Sequence, residues 1–154
     1  MMTVIGDDVL AAKFTAAAAA IKSEGPAWLV ECGNIVETSV RGVIRSEGLY
    51  ETGDLYHSGR TFGLAGNSVL VGFGQGLDYA AALEQGAAPH EISAVNGEVL
   101  SFWWENAGQW FVGPSVNHPG NRPYAFMRNG AELALTPLAL MLMGKLRAIF
   151  GFDL

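Results

Sequence analysis

The patterning of apolar residues predicts an α+β chain, with helices at both ends and an antiparallel sheet between them. Three observations carry this expectation. Apolar residues recur at spacings of three and four before Gly48 and again after Tyr124. Between those limits, short runs of β-forming residues alternate with glycine-rich turns. The pair Asn96-Gly97, the strongest short hairpin signal, lies among these runs.

The elements follow in order within a single expected domain. N-terminal helices are expected over about 7–47. Asp7 or Asp8 can cap the first, which carries Leu10, Phe14, Ala17 or Ala18, and Ile21 on one face. Gly25-Pro26 is expected to stop it and start a second helix, since proline suits a first turn. Leu29, Cys32, Val36, Val40 and Val43 form the apolar face of that helix, and Cys32 reads as a small buried hydrophobe. Glu37 precedes Arg41 by one turn, the favourable order for an exposed ion pair. Near Gly48 the helix ends.

The sheet and a short helix are expected over about 49–117. Gly53, Gly59, Gly63 and Gly66 mark 49–67 as a loop or long hairpin arm, and Ser68–Phe73 as the strand after it. Asp78 can cap a helix over 79–85, with Tyr79 and Leu83 on its buried face and Gly86 as a left-handed terminator. A β-meander follows, with strands at 91–95, 98–104 and 109–112 joined at Asn96-Gly97 and at 105–108. Residues 118–123 are extended by Pro119 and Pro123. A C-terminal helical region runs over about 124–150, with a kink or break at Pro137.

Half of the residues are hydrophobic, 16% are charged, and mean hydropathy is +0.24. So apolar a composition implies surface hidden against partners. The formal net charge of −6 disfavours attraction to nucleic-acid phosphates, although an acidic surface can line a passage through which DNA moves without sticking. A single cysteine excludes an intrachain disulfide and a four-cysteine zinc site. The stretch from Leu133 to Met143 is shorter than the roughly 20 apolar residues a bilayer requires, so no membrane association is expected. Met1-Met2 leads into Asp7-Asp8 without the pattern of a secretory leader, so synthesis in the cytoplasm is expected.

Chemistry finds little support in the motifs. His57, His90 and His118 show no helical ligand spacing, so no metal and no cofactor is expected. Asp54, His57 and Ser58 are the residue types of a hydrolase, as are Ser101 and Ser115 with a histidine, but the strained nucleophile turn is absent. Gly72, Gly74 and Gly76 follow a strand, yet no Lys-Ser/Thr comes after them and Asp78 would repel a phosphate. Trp103, Trp104, Trp110 and Phe111 cluster on the meander, where they fill a thin core or meet a partner.

Several of these segments together resemble the phage Hong Kong 97-type tail-component family, small proteins of the siphophage neck and tail-completion region. Tyr50-Glu51-Thr52-Gly53-Asp54-Leu55-Tyr56-His57-Ser58 is similar to that family's Tyr-x-Thr-Gly-x-Leu-x-x-Ser run. Val71-Gly72 matches the strand end that follows. Tyr79, Ala80, Leu83, Glu84 and Gly86 match Tyr-Ala-x-x-Leu-Glu-x-Gly. His118-Pro119-Gly120, Pro123, Phe126 and Met127 resemble the segment that opens the last helix. The resemblance covers about 48–135; Ala87 and Ala125 stand where the family often has Thr and Pro.

What the resemblance implies is a structural virion protein without a catalytic centre. Such a protein forms a homo-oligomeric ring, a hexamer or dodecamer, between connector or head-closure proteins and the tail tube, with DNA passing through the lumen. Gly53 and Gly86 then permit turns, Leu55 and Ser58 belong to the run entering the sheet, Tyr79 and Leu83 anchor the short helix, and Phe126 seats the last one. Pro119, Gly120 and Pro123 shape the segment before it. Glu84 requires a hydrogen-bonding partner if buried, which a backbone amide or Arg122 can supply. The alternatives are a small serine-type hydrolase using Ser58 and His57, and a ligand-binding α+β domain using the aromatic cluster.

Overall fold

The computed structural model describes residues 7–63, 67–95, 98–104 and 107–151, and its architecture is α+β. It forms two compact units, Met1–Leu77 with Phe126–Leu154, and Asp78–Ala125.

The first unit is built on two long helices, α1 (Asp7–Ser46) and α4 (Phe126–Phe150), with a short helix α2 (Asp54–His57) and the antiparallel pair β1 (Arg60–Gly63) and β2 (Val69–Gly72). α1 is one helix of 40 residues where two were expected, and Pro26 lies inside it. Proline in a helix interior costs about 3 kcal/mol. Packing offsets that cost, because both stretches of α1 rest on the same partner. Phe14 meets the Phe150 ring edge-on before Pro26, and Glu31 pairs with Lys145 at 2.8 Å after it. α4 likewise continues through Pro137. At its far end α1 stops as expected, where Gly48 turns to φ 72 and the Leu49 amide donates back to the Ile44 carbonyl.

The two helices run antiparallel and come closest at Gly130. A Cβ there would lie 2.6 Å from the Val40 Cα, so only glycine admits this approach. Val40, Val43, Ile44, Leu55, Phe126 and Ala134 are buried in this unit, and Phe73 meets the edge of Phe126. The N-terminal part of α1 departs from its expected burial: of the proposed face only Ala17 is buried, while Leu10, Phe14 and Ile21 are exposed. Cys32 is half-buried rather than enclosed, beside a groove at Gly25–Pro26. The Glu37–Arg41 pair forms at 2.8 Å, but half-buried. Glu37 also accepts from the Thr61 hydroxyl, and Arg41 donates to the Tyr56 carbonyl, so the pair ties α1 to the residues expected to be loop.

The second unit holds α3 (Tyr79–Gln85) and strands β3 (His90–Ser93), β4 (Leu100–Trp104), β5 (Gln109–Gly113) and β6 (Ser115–His118). The pairing is nested and not a meander: β4 pairs with β5, and β3 pairs with β6. Asn96-Gly97 lies outside the described residues, and the strands on its two sides do not pair with each other. The aromatic residues explain the outcome. Phe102 lies opposite Phe111 and Trp103 opposite Trp110 only in the β4–β5 register, and such cross-strand pairs add about 0.2–1 kcal/mol each. The result is a two-stranded ribbon. The Ala94 amide donates to the Pro114 carbonyl, continuing the β3–β6 ladder toward β4 and β5.

Gly130→Ala is expected to destabilise the chain by about 1–3 kcal/mol through overpacking. Gly144→Ala in the same helix, where nothing lies within 4 Å of the added Cβ, is expected to be neutral or to stabilise by about 0.5–1 kcal/mol. Equal urea midpoints for the two variants would remove the close approach at Val40.

Candidate functional site

The residues singled out in the sequence converge on two small junctions, one in each unit. The first is the turn 50–58. Gly53 adopts φ 81 and precedes α2, a conformation that disfavours a side chain. The Thr52 hydroxyl donates to the Asp54 carboxylate at 2.7 Å and accepts from the Asp54 amide, closing a local turn. Leu55 is buried. Ser58 is the staple: its hydroxyl donates to the Leu55 carbonyl at 2.6 Å and accepts from the Gly74 amide at 2.7 Å. This fastens α2 to the end of β2. Tyr50, Tyr56 and His57 stack edge to face around Arg45, whose guanidinium lies 5.1 Å from the Tyr56 ring centre.

The Ser58 geometry bears directly on hydrolysis. A serine nucleophile requires its proton directed at a base, whereas here the hydroxyl donates to the Leu55 carbonyl. The His57 ring nitrogen Nε2 faces the Tyr50 hydroxyl at 3.3 Å instead.

The second junction unites the other two motif segments. A helix end leaves its last carbonyls without intrahelical partners. In α3 those groups are met by the segment 121–125. The Ala82 carbonyl accepts from the Gly86 amide and the Asn121 side-chain amide, Leu83 from the Tyr124 amide at 2.9 Å, and Glu84 from the Ala125 amide at 3.1 Å. Ala87 and Asn121 exchange two backbone hydrogen bonds of 3.0 Å, which begins the ladder that His90–His118 continues. Two glycines make the contact possible. Gly86 adopts φ 83 and ψ 160, a combination open to glycine and not the left-handed helical turn expected. A Cβ on Gly86 would meet the Pro123 nitrogen at 2.9 Å, and one on Gly120 would run into the Ala87 carbonyl. Ala125, at φ 49, is the one described non-glycine residue at positive φ, and it is buried. Arg122 lies over the Tyr124 ring at 4.5 Å.

Other expectations are corrected here. Asp78 precedes α3 but makes no capping hydrogen bond, because its own backbone is already helical. The buried residue of α3 is Ala80; Tyr79 is 43% exposed and Leu83 half-buried. A helix of 7 residues offers too narrow a buried face for a tyrosine and a leucine one turn apart. Glu84 is half-buried. Phe126 is buried as expected, at the start of α4, and Pro119 lies at the foot of the ribbon after β6.

The ribbon has two unlike faces. One presents Ile92, Leu100, Phe102, Trp104, Phe111 and Val116; the other carries Glu91, Ser93, Ser115 and Asn117 near its foot and the Trp103–Trp110 pair toward its tip. The apolar side opens into a groove of about 590 Å3, which Trp103 and Asn117 also line. One further feature carries no local sequence signal. His90 and His118 face each other across the ladder with ring centres 5.1 Å apart. His90 donates from Nδ1 to the Ala88 carbonyl, while His118 accepts at Nδ1 from the Gly120 amide. Their pairing depends on a register that separation in sequence conceals. Among the described residues no group of three or more His, Cys, Asp or Glu is placed to hold a metal.

No family model, curated protein or solved structure matches the chain.

Gly86→Ala is expected to open the junction, at a cost of at least about 1–3 kcal/mol, and to speed hydrogen exchange at the Tyr124 and Ala125 amides. Unchanged exchange at both would dismiss the junction as a stabilising element. Ser58→Ala removes a half-buried staple and is expected to cost about 1 kcal/mol. Stoichiometric labelling of Ser58 by a phosphonate would instead favour the hydrolase reading.

Proposed function

We propose that this chain is a structural protein of a phage or phage-like particle, acting at the head–tail joint or tail end as a homo-oligomeric ring. The observation that carries the reading is the placement of apolar surface. Trp110 is 65% exposed and Trp103 50%, and on α4 Leu133, Leu135 and Leu140 are each exposed by about two-thirds. A chain free in water rarely shows so many large apolar groups on neighbouring positions. Assembly into a ring covers them.

The motif residues support the same reading through what they do. Thr52, Gly53, Leu55 and Ser58 shape and fasten a turn, and Leu83, Glu84, Gly86, Gly120 and Pro123 build the foot of a ribbon. These are architectural tasks, as suits the tail-component family that the segments resemble. The partners are then further copies of the chain, with connector or head-closure proteins on one side and tail tube protein on the other. The protein resides in the virion, after synthesis in the host cytoplasm. DNA passes the acidic lumen without specific contacts.

Deleting the gene from its phage or prophage and imaging the lysate by electron microscopy tests this. Filled heads beside unattached or overlong tails are expected. Infectious particles of normal form that lack the protein would overturn the proposal.

A further inference from the structure

The ribbon lacks a core of its own. Within Asp78–Ala125, the described buried hydrophobic residues are Ala80 and Ala125 alone. A two-stranded hairpin is marginal in water unless something covers its apolar face. Its grooved side, lined by Ile92, Leu100, Phe102, Trp104 and Val116, therefore requires an occupant.

The same chain carries a surface with the opposite need. Between Glu132 and Lys145, α4 has no charged residue. Leu133 and Leu140, seven positions apart and so on one face, are 64% and 66% exposed, with Met143 at 45% beside them. A helix that is apolar all round must be covered on every side.

We propose that the grooved face of the ribbon in one copy receives the exposed leucine face of α4 in a second copy. This deepens the ring reading and rests on it. Charge favours the match: residues 90–118 hold three glutamates and no lysine or arginine, whereas α4 holds Arg128 and Arg147 against Glu132, with Lys145 already paired to Glu31 of its own chain. Size favours it too. The stretch from Leu133 to Leu146 spans about 20 Å, which fits along a ribbon roughly 30 Å long. Because the two surfaces differ, the contact is head-to-tail, and repeating it gives a ring when the rotation closes.

Complementation between two variants tests the pairing, read by sedimentation of the full-length chain. The natural sequence is expected to sediment as an oligomer. Leu140→Glu spoils α4 and keeps the ribbon; Phe102→Glu spoils the ribbon and keeps α4. Each alone is expected to fall to a monomer. Their equimolar mixture is expected to double in mass, since one sound interface can form and no second. Leu133→Glu provides an independent copy of the helix variant, and unchanged helical circular dichroism checks that each variant folds. Variants that remain oligomeric, or folded variants whose mixture stays monomeric, would overturn the pairing while leaving the ring reading intact. A natural chain that stays monomeric at its highest soluble concentration would overturn both. α4 is also long and apolar enough to cross a membrane by length and composition. Flotation of the natural chain with phosphatidylcholine–phosphatidylglycerol vesicles, abolished by Leu140→Glu, would assign that face to lipid and overturn the pairing.

Discussion

The contact between α1 and α4 at Val40 and Gly130 is the seam on which the first unit depends. With no side chain at Gly130, the two backbones approach closely enough to enclose Val40. That approach places Phe126, at the start of α4, against Phe73 beyond β2. The half-buried Glu37–Arg41 pair then serves a purpose that an exposed pair would not. Its carboxylate holds Thr61 and its guanidinium holds the Tyr56 carbonyl, so α2 and β1 are tied to the same helix. Surface ion pairs contribute little by themselves. Here the gain is orientation, because each member satisfies a second polar group as well as its partner.

The second unit is held together by different means. Its foot is a set of backbone hydrogen bonds between the end of α3 and 121–125, admitted by glycines at 86 and 120. Hydrogen bonds fix geometry but add only about 0.5–1.5 kcal/mol each. Above that foot the large side chains of the ribbon remain accessible, so burial contributes little until something covers them. Local stability is lowest where few apolar groups are enclosed. The unit therefore combines a defined base with a ribbon that encloses few apolar groups.

Much of this was legible in the sequence, and the failures share one cause. The ends of α1 and α4, the strand at β2, the short helix α3 and the pairing of Glu37 with Arg41 follow from local signals such as periodicity, Gly48 and the i,i+4 rule. Pro26 and Asn96-Gly97 are equally local signals, yet tertiary contacts overrode both. Contacts to α4 on each side of Pro26 kept one helix, and the Phe102–Phe111 and Trp103–Trp110 pairs set a register that bypasses Asn96-Gly97. For the candidate junctions, the residues stand out in the sequence but their geometry does not. Gly86 and Pro123 lie far apart in the chain, and nothing in either segment states that one caps the other. Tyr79 is exposed against expectation because helical spacing says which residues share a face, not whether that face is covered.

The division between a unit with a core and a ribbon without one bears on how assembly is controlled. A partner that binds only the ordered ribbon stabilises it by mass action, so the order of the ribbon and the contact it makes rise together. Were the ribbon rigid and its groove complete in the free chain, encounter of any two copies would suffice for association, at any time after synthesis. In the proposed ring, a marginal ribbon would instead lower the strength of each contact by its ordering cost, and closure would add one further contact without a further encounter. The acidic ribbon adds a second restraint, since like charges keep ribbons apart while leaving attraction to the more basic α4. In the proposed ring, exposed tryptophans and leucines, hazardous in a chain meant to remain single, would serve an assembled working state.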